Sequence, residues 1–175
     1  MGELVDRVDE NDLVIGVVDR AEAIEKGWLH RVATTVRRDP LGRILVHRRS
    51  DEMSRFPGQY NWLIGGAAEV GESYEQAAAR ELGEELGVFG VPLRPVLRFL
   101  CEGEISPYWL GVHEAVVSGV LVPDPDEIAW YGWFGEDELL EAVGRGEFVS
   151  DGPVGRGEFV SDGVKALRRY LARQR

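Results

Sequence analysis

The stretch GAAEVGESYEQAAARELGEELGV, residues 66–88, decides how this chain folds. Ser73 followed three residues later by Gln76 is the pairing of a capping box, which predicts a helix from about Ser73 to Leu86. At about 100° per residue, Glu81, Glu84 and Glu85 stand at i, i+3 and i+4 and share one narrow arc. Ala78, Leu82 and Leu86 fill the adjacent arc and anchor the helix on a core. Three carboxylates on one arc repel one another and weaken a helix, so folding gains nothing from them. A hard divalent cation does gain, because it takes oxygen ligands and keeps waters that face a phosphate. Two such ions would clamp a diphosphate, activate a water and stabilise the leaving oxygen. Gly65 and Gly66 let the backbone pass close to metal or phosphate, and Gly87 suits the turn that ends the helix.

On the N-terminal side, residues 4–8 and 13–18 read as short strands around Asn11-Asp12, followed by a helical turn or two over Arg20–Lys26. Arg31–Arg38 and Arg43–Arg49 read as the two arms of a hairpin turning at Pro40-Leu41-Gly42. Phe56-Pro57-Gly58 is a loop, and Asn61–Ile64 a short strand that ends in the glycine pair. On the C-terminal side, apolar segments at 91–101, 106–118 and 127–134 predict strands. Residues 136–143 and 162–173 predict helices, the last with Val164, Leu167, Tyr170 and Leu171 on one face. This mixture predicts an α+β domain, a sheet covered by helices on both faces. VGRGEFVSDG occurs twice, at 143–152 and 154–163 with Pro153 between. Two short copies do not make a solenoid. The second leads into the last helix, so the first is expected as an extra surface loop.

Composition narrows the function. The 175 residues fit a single domain, and the net charge of −11 argues against nucleic acid as a partner. It does not argue against a small phosphorylated substrate, because carboxylates can hold the cations that face it. No apolar run reaches membrane-spanning length, the first residues lack the layout of a signal peptide, and there is one cysteine, Cys101. A cytoplasmic protein with no membrane partner is therefore expected.

The family follows from spacing. The pattern Gly-x5-Glu-x7-Arg-Glu-U-x-Glu-Glu-x-Gly-U, with U apolar, is met at Gly66, Glu72, Arg80, Glu81, Leu82, Glu84, Glu85, Gly87 and Val88. At ordinary residue frequencies, a chance match is on the order of one in 10⁷. This is the Nudix box, and the chain resembles the Nudix hydrolases. The resemblance implies one Nudix domain over 1–175, an α/β/α sandwich around a mixed β-sheet. It also implies Glu81, Glu84 and Glu85 as metal ligands and catalytic carboxylates, with Glu72 assisting and Arg80 as their structural partner. Glu127, outside the box, stands where the family often has a further ligand or base. The implied cofactor is Mg²⁺, with Mn²⁺ as a substitute. The implied reaction is attack of an activated water on the diphosphate bond of a nucleoside diphosphate linked to another moiety. A homodimer is implied by the resemblance alone.

Residues 30–72 resemble Nudix proteins that lie close to isopentenyl-diphosphate isomerase. Those isomerases carry a cysteine before the box glycine and a histidine after it, where this chain has Gly65 and Ala67. Hydrolysis is therefore expected over isomerisation. A nucleotide-sensing or scaffold domain is the other alternative, but such domains usually lose box glutamates and this chain has lost none. For the rest of the substrate, Arg48, Arg49 and Arg55 suit phosphate oxygens, and one of Arg48 and Arg49 must point away along a strand. Tyr60, Trp62 and Trp109 are candidates to stack on a base, while Trp133 and Phe134 read as core. His30 and His113 show no partner in the sequence and read as ordinary buried histidines.

Overall fold

The local signals are realised where the sequence places them. In the computed structural model, which describes residues 2–146, 148–149 and 156–173, the box forms helix α2, Tyr74–Leu86. Ser73 Oγ accepts from the Gln76 amide at 3.1 Å, and Gln76 Oε1 accepts from the Ser73 amide at 2.9 Å, which completes the capping box. Gly87 ends the helix in the left-handed conformation, φ 66°. Helix α1, Arg20–Lys26, is capped by the Asp19 side chain, which accepts from the amides of Ala21 and Glu22. Helices α3, Glu136–Gly144, and α4, Ser161–Ala172, follow near the C-terminus.

A separate two-stranded sheet joins β1, Leu4–Val8, to β2, Val14–Asp19. The main sheet contains β3, Arg31–Arg38; β4, Ile44–Arg49; β5, Tyr60–Asn61; β6, Leu63–Ala67; β7, Arg94–Glu102; β8, Pro107–Val116; and β9, Ile128–Phe134. It is mixed: β3 runs parallel to β8, and its other pairings are antiparallel. Side chains alternate across it. Val36, Leu63, Leu110 and Val112 pack with Leu139, Leu167 and Tyr170 of α3 and α4, whereas Ile64 and Ala115 pack with Leu82 and Leu86 of α2. The helices therefore lie on opposite faces, as expected for an α/β/α arrangement.

The expected hairpin of β3 and β4 is corrected. The two strands pair only at Arg38↔Ile44 and then separate. β6 takes the vacated side of β3 from Val32 to Val36, while β4 turns to β5 and β9. The predicted strand over Asn61–Ile64 is accordingly two short strands, each serving one side of the divide. Arg37 sits in this divide, fully buried. Its guanidinium donates to the carbonyl oxygens of Thr35 at 2.9 Å, Trp62 at 3.3 Å and Leu45 at 3.2 Å, and approaches His47 Nδ1 at 3.4 Å. A planar fork with several donors thus serves carbonyls of separated strands that no longer reach each other.

The duplicated segment is used unequally. In its second copy Phe159 bridges to Tyr60, Val160 is buried, and Asp162 accepts from the Tyr108 hydroxyl at 2.7 Å. In the first, Val143 and Gly144 complete α3, and the two-residue strand β10, Phe148–Val149, pairs antiparallel with β11, Arg156–Gly157, of the second. Glu147 and residues 150–152 lie outside the described residues, and with them most of the expected surface loop.

Candidate active site

Two close approaches lock the box against the sheet. A Cβ on Gly65 would lie 2.0 Å from the Ala33 carbonyl oxygen, so only glycine lets β6 lie along β3 there. A Cβ on Gly66 would lie 2.6 Å from Glu81 Oε1, so the glycine is what admits that carboxylate beneath the strand. Arg80 organises the remainder. Its Nε and Nη2 bind the two oxygens of Glu72 at 2.9 Å each, its Nη1 binds Glu81 at 2.8 Å and approaches Glu84 at 3.4 Å, and its Nη2 also donates to the Ala67 carbonyl. The carboxylates around it hold its pKa up, while Arg80 pulls that of Glu72 down. Both oxygens of Glu72 accept from Arg80 and one also accepts from the Glu69 amide, which places Glu72 as a brace for Arg80.

Glu85 is the unusual group. It is buried, burial pushes its carboxyl pKa well up, and the neighbouring Glu127 and Glu81 add to that shift. The carboxyls of Glu85 and Glu127 lie within hydrogen-bond reach of each other, and among the described residues no donor from elsewhere reaches the buried Oε2 of either. Glu127 reaches this place from the loop before β9, which is tied to the end of α2 through the Asp124 amide and the Glu85 carbonyl, and its own carbonyl accepts from the Ser50 amide at 2.9 Å. Burial also raises Glu81, against the opposing pull of Arg80. Glu84 is exposed. Among the described residues no three acidic, histidine or cysteine side chains are gathered closely enough to form a ready-made metal cage. The carboxyls of Glu85 and Glu127, with Glu81 and Glu84 on the same helix face, are nonetheless a donor set of hard, negatively charged oxygens that fits a divalent cation.

A cavity of about 180 Å³ opens beside Glu85 and Gly66, with walls from both sides of the sheet divide. Arg49 and Arg55 line it, as the sequence expects, and Gly65 does too. Arg48 and Tyr60 do not, which corrects two expectations. Arg48 points to the other face of β4 and pairs with Asp51 at 2.8 Å, and Tyr60 is fully buried beside Trp130. Trp62 is likewise core, bonded to the Gly163 carbonyl, and Trp109 donates to the Asp9 carbonyl away from the cavity. Cys101 is buried on β7 outside the lining, so it supplies no proton donor there.

The sequence reading missed Arg20, His30, His47 and Asp162, which line the cavity from α1, the start of β3, β4 and α4. No spacing links them, because only the tertiary fold brings them together. His30 is 2% exposed, and its Nδ1 is buried without a partner among the described residues. Burial, then Arg20 and Arg55, push its pKa down to about 4. Its unfolded value near 6.5 lies above this, so the unfolded chain binds the extra proton first and stability falls as pH drops from about 6.5 to 4. The expected size is on the order of 3 kcal/mol. Urea unfolding at pH 7 and pH 4.5 checks it: His30→Gln should lose clearly less stability between the two than the wild type, and equal losses would refute the assignment.

Comparison with known proteins agrees with this fold. The family model of the NUDIX domain matches residues 28–151. An uncharacterized Nudix hydrolase of Streptomyces coelicolor is 43% identical over 153 residues, covering 86% of this chain and 84% of that protein. One from Yersinia pestis is 34% identical over 149 residues, covering 85% of this chain and 81% of its own length. Among solved structures, DR0079 from Deinococcus radiodurans superposes with a TM-score of 0.77 at 27% identity, over 96% of this chain and 99% of that one. The NUDIX domain of Shewanella oneidensis NrtR, crystallised with ADP ribose, shares the fold with a TM-score of 0.61 at 14% identity, over 90% of this chain and all of that one.

Proposed function

The chain belongs to the Nudix family, and from that premise we propose that it hydrolyses a diphosphate bond in a nucleoside diphosphate linked to another moiety, with Mg²⁺ held by Glu81, Glu84, Glu85 and Glu127. The observation that carries this reading is the pair of buried carboxyls of Glu85 and Glu127, which no other residue's donor satisfies among the described residues, with Glu85 on the wall of a cavity lined by arginine. Nothing in the core needs two such groups, and burying them together costs stability. When bound, the cation would neutralise these carboxylates, polarise a phosphoryl oxygen and lower the pKa of a water.

The rest falls to the chain's own residues. Arg49, with its Nε fixed on the Arg55 carbonyl at 3.0 Å, keeps its remaining guanidinium donors for phosphate oxygens. A carboxylate oxygen at Glu85 or Glu127 receives the proton of the attacking water as its oxygen bonds to phosphorus. The bridging P–O bond breaks, and two phosphorylated products leave. Gly66 and Arg80 fix where Glu81 stands, so the site is positioned before the substrate arrives.

A panel of nucleotide sugars, dinucleotides, nucleoside diphosphates, CoA and prenyl diphosphates, incubated with Mg²⁺ and analysed by mass spectrometry, tests the reading. Metal-dependent release of two phosphorylated products from one class, lost in Glu84→Gln and Glu85→Gln, is the expected result. Tight binding of one compound without turnover of any would instead make the protein a sensor.

A further inference from the structure

The cavity has two ends of different character. Arg49 lies in the field of Glu85 and Glu127, beside the box. Arg55 lies in the fields of Arg20, Glu3 and Arg49, and His30 in those of Arg20, Arg55 and Glu3. All four line the one cavity, with Arg49 tied to the Arg55 carbonyl through its Nε at 3.0 Å.

The far end holds positive charge that the protein answers only in part. Among the described residues neither Arg49 nor Arg55 has a carboxylate within ion-pair distance. Arg20 has one, Glu3 at 3.1 Å, but that carboxylate is 45% exposed, and Arg20 Nε is buried with no partner. His30 Nδ1, buried and also unpartnered, lines the same wall. Asp162 is already committed, accepting from the Tyr108 hydroxyl at 2.7 Å and the Glu104 amide at 3.0 Å. The loop that carries Arg55 turns at Phe56 with φ 47°, a left-handed conformation that costs a bulky residue energy and puts both side chains on the cavity. Guanidinium groups crowded into a half-buried space disfavour one another unless an anion joins them.

We propose that Arg20, His30 and Arg55 form a second oxyanion subsite, so that the substrate carries, beyond its diphosphate, a further phosphate or carboxylate at its far end. This rests on the hydrolase reading for the diphosphate but not for the subsite itself. The cavity volume, about 180 Å³, is close to that of an engineered cavity of about 150 Å³ that holds one benzene ring, so the group joining the two anions is compact. The subsite belongs to this chain's own flanks as much as to the family domain, because Arg20 and Ile24 precede the matched region and Val160 and Asp162 follow it.

Two measurements on the full chain test it. In EDTA, inorganic phosphate titrated against the metal-free protein should raise the melting temperature of the wild type and of Glu85→Gln. It should fail to do so for Arg20→Gln and Arg55→Gln, with circular dichroism confirming that each is folded. With Mg²⁺, kcat/KM for 3-phosphopropyl diphosphate or 3-carboxypropyl diphosphate should exceed that for propyl diphosphate by about tenfold or more, the size of one charge-assisted contact. The more favoured of the first two names the far group, and the preference should collapse in Arg20→Gln. Phosphate stabilisation that survives both arginine variants, none in the wild type, or equal kcat/KM for the three compounds would overturn the subsite. Intact phosphate binding without turnover of any of these compounds or of any member of the nucleotide panel would instead overturn the hydrolase reading.

Discussion

Replacing Glu85 by glutamine is expected to abolish turnover and make the metal-free protein more stable. The loss in kcat should be about 10³-fold, the range for removing a group that handles a proton or holds charge at the reacting centre. The gain in stability has a separate cause. Glu85 is buried beside Glu127 and Glu81, and burial pushes its carboxyl well up, so holding a carboxyl there costs the fold stability that glutamine does not. Neutral replacements of buried ionised groups often stabilise by about 1–4 kcal/mol. Because the folded pKa is raised, this cost fades as pH falls through it. The wild type should close part of the gap on acidification, with the His30 effect working in the opposite direction. Urea unfolding in EDTA with parallel kinetics measures both. An inactive variant that is also less stable would mean that Glu85 is a structural partner of Arg37 or Arg49 and not a group held ready for chemistry.

Arg37→Met is expected to cost roughly 3 kcal/mol or more, because it leaves the carbonyls of Thr35, Leu45 and Trp62 without their shared donor in a dry interior. Burial works against the Arg37 charge, and Glu85 is the carboxylate whose field favours it. Substitution of buried ions by methionine has left other proteins more stable, so the sign of this change is informative. A lower urea midpoint at unchanged slope would identify the guanidinium as the pin of the divided sheet. An equal or higher midpoint would show that the carbonyls find water or each other. Arg37→Lys separates charge from shape: it keeps the charge but cannot span three carbonyls, and should fall between the two.

What could be read in advance follows from how far apart in sequence each signal lies. The capping box at Ser73 and Gln76, the terminating Gly87 and the carboxylate arc on α2 are local, and all are present as spaced. The alternation that sends Arg49 inward and Arg48 outward is equally local, though the sequence could not say which was which. The parting of β3 from β4 was hidden because the turn at Pro40–Gly42 looks the same whether the arms stay paired or not. What separates them is β6, about twenty residues on, competing for the edge of β3. The cavity was least legible of all, since Arg20, His30, Arg55 and Asp162 come from four separate segments. Tyr60 and Trp62 were candidates to stack on a base, but an aromatic side chain in a strand is more often core, and both are core here.

The flanks that wall the cavity bear on how such a protein can change its diet. The box with its glycines walls one part of the cavity, and α1 with the start of α4 walls another, outside the region the family model matches. A lineage could therefore exchange the compound it consumes by rewriting residues near either terminus while its chemistry stayed untouched. A protein engineer could graft residues 2–27 from one relative onto another with the same aim.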